Sequence, residues 1–483
     1  MPDPESGRSG HRARRGLRFR LLVASVAVLV AVGLAVGVLV VRPGPVADWL
    51  GDPAGSPPPP PPVLAALGTG GPEPSPDGVR ATVGPLVTGA GLGDLHVSVL
   101  DVVTGRTLFD QGGTTPTVPA STTKLATAVA VLAARGPGYR IPTRVVAGSA
   151  PGEVVLVGGG DPTVAVAGTG SYPGAARLDV LAEQVRRALG GTAPTRVVYD
   201  GSLYAGPVTG PGWDPDIPTG GFGAPITALM TDGARVDPKQ ATGYAPRYAA
   251  PDLTAAGQFA GRLGLPAGAV TRGVAPAGSG AAPATGGAAV SPGTELGRIE
   301  SPPMIRMVDL MLGASDNIVA EALARQVALA RQQPASFVGA ATAVTAELAD
   351  LGLTADGLRL VDGSGLSRDN RIPPVVLTRA LALAGSGRRP ELASVFGGLP
   401  VAGWSGTLRE RYVAGSGSAA GAGVIRAKTG TLNGVHAISG VLTTVDGRLL
   451  AFAIMGDRVP VGPEQAQPKL DRIATAMAGC GCR

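Results

Sequence analysis

The sequence predicts an α/β protein in which an antiparallel sheet is flanked by helices. Two observations lead to this fold class: strand-like stretches joined by tight turns near the end of the chain, and buried helical patterns before them. The turns are Asn433-Gly434 and Asp446-Gly447, which are strong hairpin signals, and strands joined in this way pair antiparallel. The strands that they join are predicted at 423–432, 435–444 and 448–455.

The helical pattern is clearest just after Pro119. Leu125, Val129 and Leu132 recur at i, i+4 and i+7 among alanines, which predicts a buried helix over 121–135. Further helices are predicted at 302–312, 318–331 and 468–477. Further strands are predicted at 96–109, where two of them flank a Thr-Gly turn, and at 145–146 and 154–157.

Length and charge limit the domain organisation and the partners. A chain of 483 residues exceeds the usual size of one hydrophobic core, which predicts two or more folded units. Apolar residues make up 44% of the chain, so a sizeable core is available. Of the net charge of +6, the first twenty residues carry +4, from six arginines against Asp3 and Glu5. The rest is close to neutral and lacks the clustered basic residues that a nucleic-acid partner would require.

The start of the chain is organised as a basic tail, an apolar stretch and a linker. Residues 21–41 are all apolar or small and follow the basic tail, 1–20. Such a stretch can cross about 30 Å of hydrocarbon, and the arginines would stay in the cytoplasm. We therefore expect a single-pass anchor in the cell membrane with the folded part outside, or a secreted protein if the segment is a cleaved signal. The Pro/Gly-rich linker, 42–78, would hold the folded part away from the membrane.

The first of three short motifs is Ser121-Thr122-Thr123-Lys124. On a helix, residues i and i+3 share a face, so Lys124 can reach the hydroxyl of Ser121. A lysine desolvated there can lose its proton and act as a general base toward the serine. Arginine could not replace Lys124, because a guanidinium stays protonated.

The second and third motifs are Ser315-Asp316-Asn317 and Lys428-Thr429-Gly430, the latter followed by Thr431. Ser315 can pass a proton toward a leaving amine, and Asn317 can hold a substrate amide. Lys428, Thr429 and Thr431, on a strand edge, offer a cation and hydroxyls to a carboxylate beside an extended peptide. Each motif alone is weak, but their joint occurrence by accident has a chance on the order of one in a thousand.

The three motifs resemble the active-site triplet shared by penicillin-binding proteins and serine β-lactamases. From about Val79 to its end, the chain is similar to one family in particular, the D-Ala-D-Ala carboxypeptidase/endopeptidase family, or low-molecular-mass class C penicillin-binding proteins. The strings that carry this resemblance are 119–125, 158–163, 315–321, 362–367 and 428–432.

The resemblance implies a transpeptidase/β-lactamase-like α/β domain that an insertion splits in sequence. We expect this catalytic domain at 79–161 and 290–483, and an inserted, mostly β region at 162–289. The implied activity is serine-type hydrolysis of peptidoglycan stem peptides through an acyl-enzyme, with β-lactams as inhibitors. No metal or organic cofactor is implied. Alternatives are a β-lactamase or D-amino-acid esterase on the same fold, and a β-lactam-binding sensor or wall-binding ectodomain.

The resemblance also assigns roles by position. Ser121 would be the acylated nucleophile, Lys124 its base, and Ser315 the proton relay. The substrate would be bound by Asn317 through an amide and by Lys428, Thr429 and Thr431 through a carboxylate. The backbone N–H groups of Ser121 and Thr431 would form the oxyanion hole.

The only cysteines, Cys480 and Cys482, are too few for a disulfide framework. They could bridge each other or remain free thiols. A zinc site is not expected, because such sites usually need four ligands and the three histidines are scattered.

Overall fold

The computed structural model describes residues 71–240, 244–277 and 291–482. The predicted tail and anchor, 1–20 and 21–41, and most of the predicted linker lie outside these ranges. Among the described helices, none is both long and apolar enough to cross a membrane. The first described helix, α1 (Pro76–Thr88), begins inside the predicted linker. Ser75 caps it by accepting a hydrogen bond from the Gly78 N–H at 3.1 Å, and proline occupies its first turn.

The remaining elements follow in chain order. The other α-helices of the described ranges are α2 (Thr123–Arg135), α3 (Leu178–Ala188), α4 (Pro251–Leu263), α5 (Met304–Gly313), α6 (Asn317–Ala330), α7 (Phe337–Asp350), α8 (Pro374–Gly385), α9 (Val395–Gly398) and α10 (Pro463–Ala478). The strands are β1 (Asp94–Asp101), β2 (Thr107–Gln111), β3 (Pro142–Ala147), β4 (Glu153–Val157), β5 (Arg196–Asp200), β6 (Val270–Arg272), β7 (Glu295–Glu300), β8 (Ile425–Leu432), β9 (Val435–Thr443) and β10 (Leu449–Asp457).

The first sheet is the antiparallel sheet that the sequence predicts. Its strand order is β2-β1-β10-β9-β8, and all neighbours run antiparallel. The two predicted hairpin turns join its last three strands, with Gly434 and Gly447 at φ of 72° and 80°. Glycine adopts this left-handed conformation without steric cost. In the strand order of this sheet, β8 comes last and is therefore at the edge.

Alternate residues of the central strand β10 face two different cores. Phe452 and Ile454 pack with Val83 of α1 and Ile473 of α10. Ala451, Ala453 and Met455 face the opposite side, in the cluster that contains α2 and helices α5 to α8. The sheet is thus covered by helices on both faces, and α2, which begins just after Ser121, is among the buried ones.

The second sheet is mixed, with strand order β6-β5-β4-β3-β7. Strands β4, β5 and β6 run parallel, whereas β3 pairs antiparallel with β4 and β7. Helices α3 and α4 pack on one face through Leu181, Val185 and Phe259. The predicted inserted region, 162–289, therefore contains more helix than expected: α3 and α4 against the short strands β5 and β6.

The pairing of this second sheet bears on the predicted domain boundaries. Strands β3, β4 and β7 belong in sequence to the predicted catalytic parts, 79–161 and 290–483, yet they pair with β5 and β6 of the predicted insertion. The boundaries at 162 and 289 stay a prediction, and the pairing favours an insertion that includes β3, β4 and β7.

The end of the chain packs against α1. Cys480 and Cys482 are joined by a disulfide, which is one of the two states that the sequence left open. The backbone N–H of Ser75 donates to the Cys482 carbonyl at 2.6 Å. Helix α10 begins at Pro463, earlier than predicted, with Pro468 inside it.

Candidate active site

The three sequence motifs meet in one open cleft of about 970 Å³. Five of the seven predicted site residues line it: Ser121, Ser315, Asn317, Thr429 and Thr431. The other two, Lys124 and Lys428, are fully buried behind this surface. The structure thus brings the predicted residues together, although 194 positions separate Ser121 from Ser315 in the sequence.

Ser121 sits in a strained turn at the start of α2. A single 3₁₀ turn, Ala120–Thr122, precedes the helix, and Ala120 has a positive φ of 47°. Such a conformation costs a residue with a side chain on the order of 1–3 kcal/mol and is typical of functional sites. Gly365 packs against this turn so closely that a Cβ there would lie 1.8 Å from the Ala120 carbonyl oxygen. The turn therefore depends on the glycine of the 362–367 segment.

Lys124 Nζ has three oxygen neighbours. It lies 2.9 Å from Ser121 Oγ, 2.6 Å from Asn317 Oδ1 and 2.7 Å from the Ser364 carbonyl oxygen. The latter two oxygens can only accept, so they take two N–H groups of the amine. The remaining direction on Nζ points at the Ser121 hydroxyl. In a neutral amine, the lone pair occupies this direction. The geometry suits a base that removes the Ser121 proton.

The environment of Lys124 favours the neutral form. Burial lowers its pKa to about 8, and the carboxylates of Asp362, Glu321 and Asp316 oppose this shift. A buried ammonium loses its hydration, and here the surrounding negative charges restore only part of that loss. At neutral pH the ammonium form of Lys124 still predominates, but a larger fraction is unprotonated than in an ordinary exposed lysine.

The second motif lies on the loop between α5 and α6. Ser315 has a positive φ of 55° and is half-buried at the cleft. Asp316 caps α6, because its Oδ1 accepts the N–H groups of Ile318 and Val319 at 2.9 and 3.1 Å. Burial alone would raise the pKa of Asp316, but the guanidinium of Arg235 and further cationic and hydrogen-bonding neighbours hold it below its usual range.

Asn317 has a role that the sequence did not indicate. Its Oδ1 accepts from Lys124, and its Nδ2 donates to the Phe222 carbonyl oxygen at 2.9 Å. The side chain thus holds the predicted base and links it to the predicted inserted region. Its predicted contact with a substrate amide stays a prediction.

The third motif occupies the free edge of the first sheet. The Ala427 N–H donates outward, away from β9, to the Pro400 carbonyl oxygen at 2.9 Å. Since N–H directions alternate along a strand, those of Thr429 and Thr431 also point outward, toward the cleft. A Cβ at Gly430 would lie 2.8 Å from the Pro119 carbonyl oxygen and 3.2 Å from the Ser121 nitrogen. Gly430 therefore lets β8 approach the backbone of Ser121, the predicted nucleophile.

Lys428 and Thr429 form the inner part of the predicted carboxylate pocket. Lys428 Nζ donates to the Thr429 carbonyl oxygen at 2.7 Å, and burial, with Lys124 and Arg411 nearby, lowers its pKa well below the usual value. The Thr429 hydroxyl lies 2.9 Å from that of Thr407 on the cleft wall. An anionic group bound at these hydroxyls would favour the charged form of Lys428.

The segment 362–367 forms a tightly bonded turn beside α2. Asp362 accepts hydrogen bonds from Gly365 N–H, Ser367 N–H, Asn370 Nδ2 and Trp213 Nε1 at 2.6–2.9 Å. The sequence showed this segment as part of the family resemblance, but it did not show the contact of Ser364 with Lys124, the predicted base.

Contributions from the predicted inserted region were missed altogether. Phe222, Trp213, Tyr172 and Arg235 reach the site from a stretch without regular periodicity, so no sequence signal identified them. Within the described ranges, no group of three histidine, cysteine or acidic side chains is arranged to hold a metal ion.

Comparison with known sequences identifies relatives along most of the chain. Residues 87–265 and 279–478 match the D-Ala-D-Ala carboxypeptidase 3 (S13) family. A carboxypeptidase of Mycobacterium tuberculosis is 40% identical over 415 residues, which cover 85% of each chain. The carboxypeptidase DacB of Mycolicibacterium smegmatis is 36% identical over 475 residues, or 98% of this chain and 99% of that protein. These matches confirm the resemblance predicted from the motifs.

Comparison with solved structures concerns the fold. Penicillin binding protein 4 (DacB) of Haemophilus influenzae superposes with a TM-score of 0.65 at 21% identity, covering 81% of this chain and 97% of that one. A second structure of that protein, in complex with a β-lactam, gives a TM-score of 0.59 at 19% identity. The predicted fold class, an antiparallel sheet flanked by helices in a transpeptidase/β-lactamase-like domain, is confirmed.

Proposed function

This chain belongs to the D-Ala-D-Ala carboxypeptidase 3 (S13) family and is a serine-type D-Ala-D-Ala carboxypeptidase, and we propose that it cleaves peptidoglycan stem peptides through an acyl-enzyme on Ser121. The observation that carries this mechanism is the 2.9 Å approach of the buried Lys124 amine to Ser121 Oγ. Endopeptidase action on D-Ala crosslinks would use the same site with a different leaving amine.

Acylation begins with attack of Ser121 Oγ on the carbonyl carbon of the penultimate D-Ala. The hydroxyl proton passes to Lys124 Nζ. The other two hydrogens of this amine remain hydrogen-bonded to Asn317 Oδ1 and to the Ser364 carbonyl oxygen. The N–H groups of Ser121 and Thr431 stabilise the oxyanion, as the family resemblance implies. When the C–N bond breaks, the amine of the terminal D-Ala takes a proton relayed from Lys124 through Ser315.

Deacylation returns the enzyme to its starting state. Once the D-Ala has left, a water molecule can occupy its place beside the ester. Lys124 takes a proton from this water, whose oxygen adds to the ester carbonyl carbon. When the ester C–O bond breaks, Lys124 returns that proton to Ser121 Oγ, which leaves as the hydroxyl. The products are the shortened stem peptide and the free amino acid.

The carboxylate of the terminal D-Ala fits the end of the cleft at Thr429 and Thr431. The buried Lys428 supports this assignment, because its amine lies directly behind Thr429, whose hydroxyl faces the cleft. A β-lactam carries a carboxylate next to its reactive amide in the same way. We expect it to acylate Ser121 and to keep its amine tethered, which blocks the water and makes the adduct long-lived.

For the location, we propose that residues 21–41 anchor the enzyme in the cell membrane, with the described part outside. The support is the uncharged apolar stretch and the arginines before it, together with a substrate that lies outside the cytoplasm.

The deciding experiment is product analysis of the purified folded part on defined muropeptides. We expect many turnovers that release D-Ala from a pentapeptide stem, and a stable penicillin adduct that mass spectrometry places on Ser121. The Ser121→Ala variant serves as the control and should do neither. Stoichiometric penicillin binding without D-Ala release or crosslink cleavage would favour a sensor, and rapid penicillin turnover would favour a β-lactamase.

A further inference from the structure

Glu321 is a fully buried carboxylate on α6, one helical turn beyond Asn317. Its Oε1 accepts two backbone N–H groups, from Gly363 at 3.1 Å and from Ser364 at 2.9 Å. Its Oε2 lies 3.3 Å from Nη1 of Arg325, which is also buried. The carboxylate thus holds the backbone of the 362–367 turn from one side.

The other side of this turn contacts α2. The Ser364 carbonyl oxygen accepts from Lys124 Nζ at 2.7 Å, and the Gly363 carbonyl oxygen accepts from Thr127 Oγ1 at 2.7 Å. A Cβ at Gly363 would lie 2.5 Å from the Cβ of Ala324, so the turn packs directly on α6. Glu321 and Lys124 are therefore linked through a single residue, Ser364.

We propose that Glu321 is a positioning residue for acylation, which fixes the Ser364 carbonyl against Lys124 and whose negative charge sets the pH at which Lys124 becomes a base. The inference rests on the proposed role of Lys124. It assigns to Glu321 two effects that experiment can separate, one from its hydrogen bonds and one from its charge.

Within the fold, the charge of Glu321 neutralises the buried guanidinium of Arg325, whereas its hydrogen bonds to the 362–367 turn need no charge. A glutamine would offer the same carbonyl oxygen to the two N–H groups without the cost of burying an ion. The charge does have a consequence at Lys124, since a nearby anion favours the ammonium and opposes its desolvation.

Several charged groups face this pair. Asp362 from the turn and Asp316 from the start of α6 act on Lys124 in the same sense as Glu321, and Lys428 faces it from β8. Burial raises the pKa of Glu321 to about 7, helped by Asp362 and opposed by Arg325. Glu321 is therefore mostly ionised at the pH where Lys124 loses its proton.

The test is the pH profile of Ser121 acylation by a fluorescent penicillin in Glu321→Gln. Removing the anion lowers the pKa of Lys124, so the rising limb of the profile should move to lower pH. We expect a shift on the order of half a unit, less than the roughly 1–3 units caused by a charge in direct contact. The position of the limb does not depend on the folded fraction of the sample. An unshifted limb in a variant that acylates would overturn the proposal.

Asp101→Asn is a matched control. Asp101 is equally buried, accepts the N–H groups of Val103 and Thr104 at 3.0 and 2.7 Å, and pairs with Arg448, but it lies on β1. This variant should lose stability without moving the limb. An equal shift in both variants would show that the shift does not come from the charge of Glu321 and would overturn the assignment.

Glu321→Gln removes the ion-pair partner of the buried Arg325, and an unpaired buried cation can prevent folding. The double variant Glu321→Gln/Arg325→Gln removes the pair as a unit. Its limb should also move to lower pH, because Glu321 is the member of the pair that raises the pKa of Lys124. Failure of the proposed function itself would look different, since the wild-type protein would then not be acylated at Ser121.

Discussion

The guanidinium of Arg235 lies 3.0 Å from the carboxylate of Asp316, and each side chain is 3% exposed. Arg235 belongs to the predicted inserted region, and Asp316 is the middle residue of the second motif. Tyr172 completes the group, because its hydroxyl donates to Asp316 Oδ2 at 2.8 Å and accepts from Arg235 Nη1 at 2.6 Å. A distant segment thus anchors the loop that carries Ser315 and Asn317.

Arg235→Met should leave the buried Asp316 without its ion-pair partner, with Arg247 as the nearby cation that remains. We expect a loss of about 3–5 kcal/mol in the free energy of unfolding, measured by urea denaturation, and slower acylation. Arg235→Met/Asp316→Asn should regain part of the stability, because asparagine also caps a helix and carries no charge. A double variant no more stable than the single one would show that the ion pair is not the cause.

Lys124→Arg should abolish acylation without unfolding the protein. Arginine stays protonated and cannot accept the Ser121 proton, so we expect a loss of about 10²–10⁴ in the acylation rate. In the wild-type protein the proposed base is the neutral amine of Lys124, which is populated above its pKa, so acylation should rise as pH rises through about 8. Circular dichroism checks the fold of the variant. Near-parental acylation by folded Lys124→Arg would mean that another group is the base.

Gly430→Ala should impair catalysis by pushing β8 away from Ser121. The added Cβ would meet the Pro119 carbonyl oxygen at 2.8 Å. If the oxyanion loses one donor, the rate should fall by about 10²–10³. Gly257→Ala, on α4 with nothing within 4 Å of the new Cβ, is the control and should keep full activity. Equal acylation rates in the two variants would argue against the close approach of β8.

Protease added to intact spheroplasts should digest the described part and spare the tail and anchor. The apolar stretch 21–41 and the arginines before it give this orientation. Immunoblotting with an N-terminal tag measures the protected fragment. A freely secreted form that begins near Gly37 would show instead that the stretch is a cleaved signal.

The sequence could predict the parts of this site that depend on local patterns. Ser121 and Lys124 are three residues apart on one helix, so their contact follows from helical geometry. The hairpins at Gly434 and Gly447 are specified by two-residue turns, which made β8 to β10 predictable.

Contacts that depend on distant parts of the chain could not be predicted. The strands β3 and β4 are recognisable as valine-rich runs, but their pairing with β5 and β7 joins segments far apart in sequence. Arg235 and Phe222 likewise reach the site from loops, where no periodicity indicates which side chains point inward. The burial of Glu321 could not be predicted for another reason. An acidic residue on a helix is usually at the surface.

The placement of β8 at the sheet edge also bears on how this protein avoids aggregation. An uncovered strand edge invites pairing with the strands of other molecules. Here Val401 bridges Arg426, so the segment around it covers the first half of β8. In the second half, Thr429, Thr431 and Leu432 line the cleft, and a strand edge recessed in a cleft is easier for a flexible peptide to reach than for the edge of another folded domain. The backbone from Thr429 to Leu432 is thus accessible to a substrate peptide in the cleft and less accessible to the strands of other copies of the protein.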